Sequence, residues 1–146
     1  MLESRAIQQD PGFGAPMSQF ETLDDTSTSI HALRQLVRTF VEERDWKQFH
    51  SPKNLSMALA IEAAELMEHF QWITADASRQ LDDKAKSDVG EELADVLCYS
   101  LAIANELGLD LSSTLNKKMI KNREKYPVED YRGRFGKNDP SPVSEV

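Results

Sequence analysis

The sequence predicts an all-α protein: a four-helix-bundle protomer with an irregular tail at each end. Three observations carry this expectation. Apolar residues recur at spacings of three and four in four stretches, capping residues and Gly or Pro punctuate the ends of those stretches, and no run alternates with the period of a β-strand.

The elements follow in order. Residues 1–27 hold Pro11, Gly12, Gly14 and Pro16 among many polar residues and are expected to form a flexible N-terminal arm. A first helix is expected over residues 29–45, with Thr28 or Ser29 as N-cap and Ile30, Leu33, Leu36, Val37, Phe40 and Val41 at helical spacing. Residues 46–53 contain His50-Ser51-Pro52 and read as a linker. A second helix is expected after Asn54 as N-cap, ending near Thr74. A third begins near Ala77 or Ser78 and runs to about Leu107, with a break in the polar stretch 82–87 and Gly108 as the C′ residue. A fourth starts after Asp110 and stops before Pro127. The helical domain is therefore placed at residues 28–127. Residues 128–146, with Gly133, Gly136, Pro140 and Pro142, read as an irregular C-terminal tail.

Bulk composition narrows the function classes. The chain has 146 residues, of which 40% are hydrophobic and 29% charged, enough for a globular domain with a core. Its formal net charge of −8 argues against binding a nucleic-acid polymer or an anionic membrane, both of which need basic surface. The longest nearly apolar run, residues 96–104, is too short for a bilayer span of about 20 residues. The single cysteine, Cys98, lies in an apolar run and excludes a disulfide framework within the chain. The opening Met1-Leu2-Glu3-Ser4-Arg5 lacks a basic region followed by an apolar core, so a cytoplasmic protein is expected.

Two helices break their own pattern. In the second, the stripe Leu55, Leu59, Glu62, Leu66, Phe70 puts a carboxylate where an apolar residue belongs, and Glu65 follows three residues later. In the third, Val89, Glu92, Val96, Tyr99, Ile103 repeats the anomaly, with Asp95 three residues after Glu92. Burying one unpaired carboxylate costs several kcal/mol. Four that face one another repel and raise their pKa values. Protons, basic partners or a divalent cation must offset this, unless the acids merely line a solvated flank. The all-oxygen donor set favours Mg²⁺, with Mn²⁺ as its substitute, over zinc or iron, and the chain contains no Glu-x-x-His pair of the di-iron type. Mg²⁺ completes its shell with phosphate oxygens, which points to phosphate chemistry.

One basic stretch fits that chemistry. Lys117, Lys118, Lys121, Arg123 and Lys125 crowd the fourth helix against a single acid, Glu124. They are either cations placed near a helix C-terminus or a cradle for a polyphosphate. Trp46, Trp72, Tyr99, Asn122 and Tyr126 are candidates for stacking on and reading a base, although Trp46 and Trp72 sit where aromatic rings also cap a core.

The runs EAAELMEHFQW at 62–72, EELADVLCY at 91–99 and KKMIKNREKYP at 117–127 together resemble the MazG-like all-α nucleotide pyrophosphohydrolases. The segment ERDWKQFHSPKNL at 43–55 is similar to the dCTP pyrophosphatase branch of that family. The resemblance covers roughly residues 30–128. It implies the all-α NTP pyrophosphohydrolase fold and a metal site of Glu62, Glu65, Glu92 and Asp95. It implies triphosphate contacts from Lys118, Asn122, Arg123 and Tyr126, and a base pocket using Trp46, Trp72 and Tyr99 with His50 near its mouth. It also implies a homo-oligomer, a tetramer or a dimer. Where the animal dCTP enzymes carry a histidine in the first helix, this chain has Val37, so dCTP and dATP both stand as substrates.

The expected reaction is Mg²⁺-dependent attack of water at the α phosphorus of a nucleoside triphosphate. It releases the monophosphate and pyrophosphate and serves to clean the nucleotide pool. Glu62 or Glu65 would orient or deprotonate the water. Lys118 and Arg123 would stabilise the leaving group. The alternative is a non-enzymatic helical interaction protein in which the acids serve solubility and partner choice.

Overall fold

The computed structural model describes residues 23–134 and 136, and these contain helices and turns but no β-strand. The expected all-α class is what the chain adopts. The described residues fall into two compact units, one extending to Glu106 and the other starting at Leu107. The arm and tail expected at 1–27 and 128–146 lie largely outside the described residues.

In the first unit, α1 spans Ile30–Glu43 and starts on Ser29, whose hydroxyl accepts the Ala32 N–H at 3.1 Å. Asp45, in the left-handed region at φ 52°, turns the chain into a short 3₁₀ helix, Trp46–Phe49, where a plain linker was expected.

Helix α2 spans Pro52–Glu68 and begins three residues earlier than the sequence suggested. Ser51, not Asn54, is the cap: its hydroxyl accepts the Asn54 N–H at 3.3 Å, and Pro52 fits the first turn, where its missing N–H costs nothing. The Asn54 side chain instead donates to the Phe49 carbonyl at 3.0 Å, tying the 3₁₀ turn to the helix start. The helix also stops before the expected Thr74, because Thr74 caps the next element, accepting the Ala77 N–H at 3.2 Å. That element, α3, is one turn, Ala75–Ser78. The break falls at residues 79–82, ahead of most of the polar stretch 82–87 where it was expected: helix α4, Asp83–Glu106, is already formed from Asp83, because Asp82 caps it by accepting the Ala85 N–H at 2.8 Å.

At 24 residues, α4 is about 36 Å long. Both α2 and α1 pack on it. Among the described residues, the buried ones are Val37 of α1, Leu55 of α2, and Leu101, Ala102 and Ala104 of α4.

In the second unit, Gly108 takes the positive φ of 61° foreseen for the residue after the third long helix. Asp110 caps α5, Leu111–Lys125, by accepting the Ser113 N–H at 2.8 Å. Pro127 then opens a four-residue helix, α6, Val128–Tyr131, inside the stretch expected to be irregular. An edge-to-face contact between Tyr126 and Tyr131, centroids 5.2 Å apart, holds this turn.

Candidate metal and phosphate site

The packing of α2 on α4 decides what the pattern-breaking acids do. Glu62 and Glu65 lie one turn apart on α2, and Glu92 faces them from α4. One oxygen from each of the three carboxylates lies within 4.8 Å of the other two. Glu62 and Glu92 are half-buried, Glu65 exposed. Asp95, exposed and outside that trio, is still close enough for its charge to act on Glu62.

The electrostatics match this geometry. Loss of hydration pushes the Glu62 carboxyl above the usual range, and the negative charges of Glu65, Asp95 and Glu92 push it further. The same field reaches α4: desolvation first, then Glu62 and Asp95, raise the Tyr99 phenol, and desolvation with Asp95 and Glu62 raises the Cys98 thiol. Cys98 is thus held as a neutral, half-buried thiol. Among the described residues, the ion pairs are Arg44–Glu43, Arg79–Asp76, Lys84–Asp88 and Lys86–Asp83, and none touches these acids. Three converging carboxylates, with Asp95 nearby and no cationic side chain paired to them among the described residues, form a donor set suited to a hard divalent cation.

A concavity of about 480 Å³ opens beside the trio, lined by Glu65, Glu68, His69 and Glu92. His69 and Glu68 were not foreseen as site residues. The available signal was spacing, since His69 is four residues after Glu65 and seven after Glu62, on one helix face.

A second pocket, of about 240 Å³, lies between α1, the 3₁₀ turn and the last turns of α4. Val37, Val41 and Ala102 supply its apolar wall, and Arg38, Glu42, Lys47, His50, Asn105 and Glu106 its polar groups. Of the expected base-pocket residues only His50 lines it. Trp46 packs edge-on against Phe40 with centroids 5.8 Å apart. Trp72, just past α2, is 87% exposed, and Tyr99 sits half-buried near the acids. Ala102 is seven residues beyond Asp95, about 10 Å along α4.

Lys118, Asn122, Arg123 and Tyr126 belong to the second unit. Lys118 and Arg123 are exposed on α5, and Asn122 is half-buried. Tyr126 is the residue at which α5 ends, with its N–H bonded to the Asn122 carbonyl at 2.8 Å.

Comparison with known proteins places the chain in a family. Residues 57–135, more than half of the chain, match the MazG-like family. The chain is 41% identical over 107 residues to dCTP pyrophosphatase 1 of Mus musculus, covering 72% of this chain and 63% of that protein. It is 40% identical over 131 residues to dCTP pyrophosphatase 1 of Rattus norvegicus, covering 86% and 72%. The chain thus spans somewhat under two thirds of the mouse relative's length. A crystal structure of a pyrophosphatase from Archaeoglobus fulgidus superposes with a TM-score of 0.65 at 34% identity, covering 73% of this chain and 99% of that one. With more than half of its length matched, and Glu62, Glu65, Glu92 and Asp95 inside that region, the chain belongs to the MazG-like family.

Proposed function

We propose that this chain is a Mg²⁺-dependent nucleoside triphosphate pyrophosphohydrolase that converts a dNTP, dCTP or dATP favoured, to the monophosphate and pyrophosphate. The observation that carries the reading is the approach of Glu62, Glu65 and Glu92 to within 4.8 Å from two different helices, with no cationic side chain paired to them among the described residues. Relatives named dCTP pyrophosphatase 1 and a solved pyrophosphatase support it.

In this reading Glu62, Glu65, Glu92 and Asp95 hold Mg²⁺, or Mn²⁺ in its place. The bound ion supplies neutralisation of the phosphate charge. Glu62 or Glu65 orients the attacking water and accepts its proton. Lys118 and Arg123 stabilise the departing pyrophosphate, and Asn122 and Tyr126 contact the triphosphate. Trp46, Trp72 and Tyr99 take the base, with His50 at the mouth of the pocket. Val37, which lines the same pocket as His50, is apolar and leaves the choice of base to shape rather than to an imidazole hydrogen bond from that position.

Homo-oligomerisation, as a tetramer or dimer, is part of the same proposal. Met57 and Ile61 on α2 and Leu93 and Leu97 on α4 are all exposed, each pair one turn apart, and Trp72 stands in solvent. Such apolar stripes favour a protein neighbour over water. No helix among the described residues is long and apolar enough to cross a membrane. A lone, half-buried thiol suits the reducing cytoplasm, where nucleotide-pool cleaning takes place.

The test is a panel of canonical and modified nucleoside triphosphates incubated with Mg²⁺, scoring monophosphate, pyrophosphate and orthophosphate separately. Equal amounts of monophosphate and pyrophosphate are expected, with loss of turnover in Glu62→Ala. Val37→His is expected to shift selectivity toward dCTP over dATP. Orthophosphate as the main product, or turnover by Glu62→Ala equal to that of the unaltered chain, would overturn the reading.

A further inference from the structure

The concavity beside the acids has an unusual imbalance of hydrogen-bonding capacity. Of its four described lining residues, Glu65, Glu68 and Glu92 carry carboxylates, which only accept when ionised. Phosphate oxygens are acceptors too. A polyphosphate drawn to this wall therefore meets one side chain able to donate to it, His69, which carries an N–H in either neutral tautomer.

His69 is held in place by the backbone. It is the C-cap of α2, its N–H bonded to the Met67 carbonyl, and the next turn is closed by Phe70 N–H to the same carbonyl at 3.0 Å. Its ring is half-buried and makes no hydrogen bond among the described residues. On α2 it follows Glu65 by four residues, so it stands one turn from a proposed metal ligand and on the same face. It is not a member of the trio whose oxygens converge. The ring thus stands beside the cation position rather than in it.

We propose that His69 donates a hydrogen bond to a non-bridging phosphate oxygen of the substrate, holding the phosphate chain against the Glu65–Glu92 wall. The assignment rests on the reading of the acids as a cation and triphosphate site, and it names a substrate-binding residue that this reading did not contain. The role asks only for a ring N–H, and no proton is transferred.

The test uses the full chain and three substitutions. Asn and Gln keep an N–H donor, and Leu removes it. Steady-state kinetics with dCTP and Mg²⁺ are paired with equilibrium binding of the α,β-imido analogue of dCTP and with binding of Mn²⁺ alone. His69→Leu is expected to raise both KM and the analogue Kd about tenfold while kcat changes little, the pattern of a lost ground-state contact. At least one of His69→Asn and His69→Gln is expected to recover most of that loss. Mn²⁺ affinity without nucleotide is expected to stay the same in all three. Unchanged KM and analogue Kd in His69→Leu would overturn the assignment. So would an equal loss of Mn²⁺ affinity without nucleotide, which would make His69 a metal ligand. Should His69→Leu fail to fold, weakened analogue binding in both donor-keeping variants overturns it, and retained binding in either supports it. A wild-type chain that releases no pyrophosphate from any triphosphate refutes the site reading itself, a result separable from any outcome at His69.

Discussion

Arg34 and Asn105 exchange hydrogen bonds across the α1–α4 interface: the Arg34 Nε donates to the Asn105 amide oxygen at 2.9 Å, and the Asn105 amide nitrogen donates to the Arg34 carbonyl at 2.9 Å. Arg34 also donates to the Ala104 carbonyl at 3.1 Å. These bonds pin α1 to the end of α4, and Asn105 itself lines the pocket that contains Val37 and His50. The pocket's shape thus depends on the register of two helices set by one polar pair.

Asn105→Ala removes both exchanged bonds at a part-buried position. A loss of about 1–3 kcal/mol in unfolding free energy is expected, read by urea denaturation. An unchanged midpoint would show that the pair does not hold the interface.

Glu62 lies where three other carboxylates oppose its charge. Glu62→Gln should therefore make the metal-free protein more stable while removing metal-dependent activity. A rise in Tm of about 2 °C without added metal is expected. Addition of Mg²⁺ should then stabilise the unaltered chain more than the variant. A variant that is less stable without metal would mean that the carboxylate is satisfied by groups other than a cation.

Asp24 supplies an acid-range test of local structure. Its carboxylate accepts the Thr26 hydroxyl, the Ser27 hydroxyl at 2.8 Å, and the N–H groups of Thr26 and Ser27 at 2.8 and 3.0 Å. These bonds, the Thr26 hydroxyl first, lower its pKa from 3.8 to about 2. The sign follows from the depression. The folded turn holds the charged form, so its contribution is full above 3.8 and is lost as the pH falls through about 2. An NMR titration of the Asp24 carboxyl carbon should show a midpoint near the lower value. A midpoint near 3.8 would show that the turn is not formed in solution.

What was legible in the sequence was mostly local. Ser29, Asp110 and Gly108 act as foreseen because caps and left-handed glycines depend on a few neighbouring atoms. The limits of α2 were misread for a local reason as well. Ser51-Pro52 resembles a linker, yet Pro is well suited to the first helical turn, and Phe70 and Trp72 extend the apolar pattern past the last helical residue, Glu68. The acid trio was legible because Glu62 and Glu92 each interrupt an apolar stripe, so burial of those stripes forces the carboxylates together. His69 interrupts nothing, and only the packing of α4 on α2 brings Glu92 into its concavity. The pocket around Val37 was not legible either, since Lys47, Asn105 and Glu106 come from elements far apart in the chain.

The central claim is that carboxylates from α2 and α4 jointly hold one hard divalent ion, and Mn²⁺ binding followed by electron paramagnetic resonance tests it most directly. The account predicts a bound Mn²⁺ signal that Mg²⁺ displaces, weakened at least about tenfold by Glu62→Gln on α2 and likewise by Glu92→Gln on α4. Glu43→Gln, at the end of α1, should leave it unchanged. Equal Mn²⁺ affinity in all three variants and the unaltered chain would contradict it.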